Sequence, residues 1–104
     1  MAGQRIYFSN APDYYVPPGL SFHQFITTRN PDDVRFDKII LEDHTTPNKT
    51  LTYGGLREAA ATAAAGFVRR FGTKEGDAVA IISPNRVDWV LLAHSIMWFG
   101  GVVM

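Results

Sequence analysis

One hundred and four residues make one small domain and not two. Ten basic and ten acidic side chains cancel, and both signs are scattered, so no surplus of Lys and Arg is available to displace counterions from nucleic-acid phosphates. The absence of cysteine excludes a disulfide scaffold, thiol catalysis and Cys-ligated metal, while 46% hydrophobic against 19% charged residues marks a folding chain.

The first nineteen residues carry Pro12, Pro17, Pro18 and Gly19 among Tyr7, Phe8, Tyr14 and Tyr15. Proline fixes φ and restricts the residue before it, which predicts an extended arm whose aromatics drape over the domain surface. Ligand stacking is the rarer use of such residues. Ser21 and Gln24 form the capping box S-x-x-Q at the start of a short helix, with Leu20 and Phe25 at the staple positions. Phe22, Phe25 and Ile26 give it an apolar face, Asn30-Pro31 ends it, and His23 is expected at its surface or at an interface.

Residues 38–42 and 50–53 read as two strands joined by turn formers, a hairpin. Asp32, Asp33, Asp37, Glu42, Asp43 and His44 have no metal-ligand spacing and read as a solvated face. A longer helix follows, with Leu56, Ala59, Ala60, Ala63, Ala64, Phe67, Val68 and Phe71 recurring at steps of three and four. Arg69 and Arg70 suit the negative end of its dipole better than they suggest a phosphate site, and Gly72 suits its C-terminal cap.

Residues 78–82 are apolar at consecutive positions, as in a strand covered on both faces. Ser83, Pro84 or Asn85 then opens a second long helix, with Pro at its first position and Asp88 in its first turn. Val87 to Phe99 is apolar around most of its circumference and needs cover on nearly every side. His94 has no Ser, Asp or Cys partner in the pattern and is expected to be a buried, hydrogen-bonded histidine. Gly100-Gly101 stops the helix and Val102 begins another strand, within which the sequence stops. Strand, helix and strand from Ala78 onward have the length of a parallel crossover. The fold class is therefore α/β, a hairpin plus a parallel strand–helix–strand.

Three stretches together resemble a known family. Leu51 to Leu56 resembles the L-[TS]-Y-x-E-L motif of the adenylate-forming superfamily, and Gly76 to Asn85 resembles its G-D-x-V-A-x-x-x-x-N segment. Ile96 to Val103 is similar to its L-K-A-G helix end, and the nearest members are acyl- and aryl-CoA ligases of the 4-coumarate:CoA ligase type. The resemblance implies an α/β scaffold in which residues 1–19 are an arm and residues 20–104 open the AMP-binding N-terminal domain. For the full enzyme it implies ATP, Mg and coenzyme A: adenylation of a carboxylate, then thioester formation. The family's phosphate loop, its adenine- and ribose-binding stretch and its C-terminal lysine are all absent here. No catalytic, cofactor-binding or metal residue is therefore assigned to this chain. Two departures stand out: Gly55 replaces the family's acidic residue, removing half of a Thr52 capping box, and Phe99 replaces its usual alanine.

Two readings follow. One is an N-terminal piece of such a ligase, inactive alone, with the rest of the enzyme covering Val87 to Phe99. The other is a free-standing α/β interaction module that uses that helix to oligomerise or bind a partner. A glycine-rich nucleotide-binding turn is lacking between Ile82 and Asn85, which counts against a doubly wound nucleotide module. No apolar run reaches the roughly 20 residues of a membrane helix, and no apolar core follows Met1 to Arg5. A cytoplasmic location is expected, or a peroxisomal one should a longer chain carry a C-terminal signal.

Overall fold

The computed structural model describes residues 3–13 and 15–104. Its elements, in order, are α1 (Phe22–Thr28), β1 (Ile39–Glu42), β2 (Thr50–Thr52), α2 (Tyr53–Phe71), β3 (Ala78–Val79), α3 (Val87–Trp98) and β4 (Val102–Val103). Helices and two small sheets confirm the α/β class.

The hairpin forms as the turn residues require. Strands β1 and β2 pair antiparallel, Leu41 opposite Leu51 and Glu42 opposite Thr50, with a bulge between Ile39 and Leu41. The second sheet is parallel, Ala78 opposite Val102 and Val79 opposite Val103, so β3–α3–β4 is the expected crossover. Its pairing runs past the two-residue strands: Met104 N–H donates to Val79 O at 3.0 Å and Ile81 N–H to Met104 O at 3.0 Å.

Strand coverage departs from expectation. Residues 78–82 were to be covered on both faces, yet Ala78 and Ala80 are exposed and Ile82 is 98% exposed. With two strands in the sheet, its main helix contact is α3 against β4. The arm departs too. Tyr7 and Phe8 are 83% and 86% exposed, so these aromatics stand in solvent instead of draping over the domain, and Tyr14 lies outside the described residues.

The helices carry the core. Leu56, Ala60 and Ala64 of α2 meet Val87, Ala93 and Ile96 of α3, all buried. Small alanines let the two backbones approach closely, which is what their three- and four-residue spacing provides. α3 starts at Val87, after Arg86, and not at Pro84; its first N–H is capped from the hairpin instead of by a local side chain. α1 has the expected capping box, but its buried residues are His23 and Thr27, while Phe22 is 62% exposed and Leu20 stays exposed. The face that docks α1 is polar.

Two glycines within the motif stretches, neither at a position the family motif fixes, are explained by contact. Gly54 brings its backbone against Phe36, where a Cβ would stand 3.1 Å from the Phe36 Cβ. At Gly101 a Cβ would lie 2.5 Å from the Phe99 ring and 2.9 Å from Ile96 Cγ2. The Phe99 ring thus folds over Gly101 and meets Phe67 of α2 at 5.9 Å between centroids, the partner that an alanine there would not reach.

Candidate functional site

Helix N-termini are the ready-made anion sites of an α/β fold, since their first N–H groups point outward unpaired. Here the first amides of the two long helices are already taken. In α2 the Tyr53 N–H donates to Lys38 O at 2.9 Å and the Gly54 N–H to Phe36 O at 2.9 Å. The Gly55 N–H donates to Thr52 Oγ1 at 2.9 Å. In α3 the Val87 N–H donates to Asp43 Oδ1 at 2.7 Å, and Asp43 is 7% exposed with Arg86 Nε 3.8 Å from its other oxygen. An anion already occupies that end. Asp43 therefore leaves the solvated acidic face to which its sequence neighbours Asp32, Asp33, Asp37, Glu42 and His44 belong, all of them exposed.

Among the described residues no group of three His, Asp or Glu side chains is gathered closely enough for a metal ion. Arg69 and Arg70 are exposed on the last turn of α2, ahead of Gly72 at φ 63°, where they complement the helix dipole. The turn of the second motif is similarly occupied with itself. Asp77 Oδ2 accepts the Lys74 N–H at 2.9 Å, Gly76 adopts φ 87°, and the Gly76 N–H donates to Gly100 O at 3.0 Å. The described residues do not fit ATP or its magnesium: among them there is no outward amide cradle, no cation aimed at one and no carboxylate set.

One polar cluster does stand out. His23 of α1 is fully buried, and its Nδ1 lies 2.7 Å from Nδ1 of His94 on α3, the rings edge to face at 4.8 Å. Trp98 of α3 closes the other side at 5.2 Å. Burial, then the neighbouring His94 and then Arg57 of α2 hold His23 far below its ordinary value, at about 4, and burial lowers His94 as well. His23 is thus interfacial; His94 is hydrogen-bonded as expected but only half-buried where a buried ring was expected, and their pairing across 71 positions carries no sequence signal. Beside the cluster a groove of about 500 Å³ runs between Phe36, Gly54, Arg57, Glu58, Ala61 and Trp98.

Residues 27–104 match the AMP-binding enzyme family. The chain belongs to that family. It is also 32% identical over 88 residues to 4-coumarate-CoA ligase 1 of Narcissus pseudonarcissus, a match covering 85% of this chain and 15% of the relative. The three motif segments thus sit in a member of the family they resemble, at a β2–α2 junction, a β3 turn and an α3–β4 junction. Each performs structural work. No helix among the described residues is long and apolar enough to cross a membrane.

Proposed function

We infer that this chain is the opening segment of an ATP-dependent acyl- or aryl-CoA ligase, contributing scaffold and no catalytic group. In this reading residues 20–104 begin the AMP-binding domain and residues 1–19 form an arm. The observation that carries it is a family match over residues 27–104, supported by the first amides of α2 and α3, which already have acceptors within the chain. The full enzyme would adenylate a carboxylate with Mg-ATP and pass the acyl group to coenzyme A. Amides and cations that neutralise charge developing on phosphate are what such chemistry needs, and they would come from outside these residues.

The experiment is ATP–pyrophosphate exchange by this chain with a panel of aliphatic and aromatic carboxylic acids. No exchange above a blank is expected. Exchange that saturates with one acid would place an adenylating site within these residues and overturn the reading. The second reading, an interaction module acting through the last helix, has less support. From Val87 to Phe99 only Asp88 is exposed; with α1 and α2 against the helix, Val87, Ala93 and Ile96 are buried and its other apolar residues are half-buried. Exposed apolar side chains lie elsewhere, at Ile82, Val102, Met104 and along the arm.

A further inference from the structure

We propose that the His23–His94 contact is an acid-released latch, which holds α1 against α3 while the pair is neutral and lets α1 go when the pair takes up one proton. The inference does not depend on the ligase reading.

Two neutral imidazoles carry two N–H groups between them. One must bridge the 2.7 Å gap between the Nδ1 atoms, which leaves one for the two Nε2 atoms. The His23 Nε2 is buried and has no hydrogen-bond partner among the described residues. An unshared lone pair there is tolerable and an unpaired N–H is costly, so His23 donates through Nδ1 and His94, half-buried at the edge, carries its hydrogen on Nε2. Adding one proton gives three N–H groups. One still bridges, and the other two occupy both Nε2 atoms whichever ring is called cationic. Protonation therefore always creates an unpartnered N–H at His23 Nε2 in a buried site.

The surroundings offer no relief. α1 has no charged residue between Phe22 and Thr28. From α2 the charge that acts on His23 is Arg57, which repels a second cation; Arg57 and its neighbour Glu58 are both exposed, and Glu58 exerts no compensating pull on the ring. α3 contributes His94 itself and Asp88, which is committed to Lys49. Trp98 packs against the His23 ring. Leverage on α1 is high because His23 and Thr27 are its buried residues, and Thr27 spends its hydroxyl on His23 O at 2.7 Å within the helix. Tyr53 Oη, donating toward Thr27 O and Arg29 O at 3.5 and 3.4 Å, is a long and weak second tether.

The sign follows from linkage. In the unfolded chain His23 protonates near 6.5, in the folded chain near 4, so the folded state binds fewer protons between these values. The docked state is level above about pH 7 and weakens as pH falls through that window.

The test follows imidazole 15N shifts and α1 amide exchange of the 104-residue chain from pH 7.5 to 4. At pH 7.5 His23 should show a protonated Nδ1 and a bare Nε2. Between pH 7 and 4.5 the α1 protection factors, with the pH dependence of intrinsic amide exchange divided out, should fall on the order of 100-fold while those of α2 and α3 change little. His23→Phe, which has no titrating nitrogen and keeps a flat ring beside Trp98, should flatten that pH dependence. His94→Gln serves as the second variant: it keeps a partner for His23 Nδ1 and should restore a simple one-histidine titration. A His23 that titrates near 6.5, an Nδ1 without a hydrogen bond at pH 7.5, or α1 protection unchanged at pH 4.5 would each overturn the latch.

Discussion

Asp43 ends the first hairpin strand and places Oδ1 2.7 Å from the first amide of α3, forty-four positions later. A carboxylate at a helix N-terminus satisfies an orphan donor and meets the positive end of the dipole. That single contact fixes where α3 begins, which explains why the helix ignores Pro84 and starts after Arg86. Asp43→Ala is expected to cost about 1–2 kcal/mol in urea unfolding, because it strands a buried N–H. Asp43→Asn, which keeps an acceptor oxygen, should cost about half as much. Equal losses for the two variants would assign the effect to charge and not to the cap. Sequence periodicity had no means of finding this cap. Caps from within three residues, Ser21 with Gln24 and Thr52 with Gly55, were legible because the partner lies within the same turn. A cap brought in by tertiary contact is not, and neither is His23 meeting His94.

At the scale of elements, the junctions matter more than the elements. The α3–β4 corner packs Phe99 over Gly101 and against Phe67, in place of the small residue the family pattern favours. Phe99→Ala should destabilise the chain by about 1–3 kcal/mol through lost packing. Gly101→Val should cost about 1–3 kcal/mol by overpacking against the ring and Ile96. Combined, the two should cost less than their sum by about 1 kcal/mol, since the valine enters space the ring has left. Thermal or urea unfolding of the four proteins reads this directly, and strict additivity would mean that ring and glycine do not touch. Helix existence, hairpin and parallel crossover were all legible, since each leaves a period or a turn signature in the chain. Which face of α1 is buried was not, because its apolar residues and its docking residues differ: hydrophobicity pointed to Phe22, geometry chose His23.

The molecule as a whole is larger than its residue count warrants. Its Cα radius of gyration is 16.8 Å, where a compact domain of about 100 residues has about 13 Å. Its accessible surface is 8212 Å², against about 5,800 Å² for a compact monomer of this mass. Part of the excess is the arm. Another part lies at the parallel sheet, where Val102 of β4 and the flanking Ile82 and Met104 are 52%, 98% and 71% exposed in runs of consecutive apolar residues. Such runs belong in a sheet covered on both faces, and here that cover is incomplete. The mismatch between pattern and exposure is itself the reason the both-faces expectation failed, and it agrees with a chain that spans 15% of its ligase relative. The chain alone should therefore bind an apolar dye such as ANS at neutral pH and self-associate with rising concentration. Charging the open strand ends through Ile82→Lys and Met104→Lys should lower both signals without altering helix content, because neither side chain enters the α2–α3 core. Removal of residues 1–19 should lower them less, since extended, separated aromatics make poor contiguous patches. Sedimentation as a sharp monomer with no dye response would mean that the exposed strands find cover within the chain itself, and the argument for missing neighbours would fall with it.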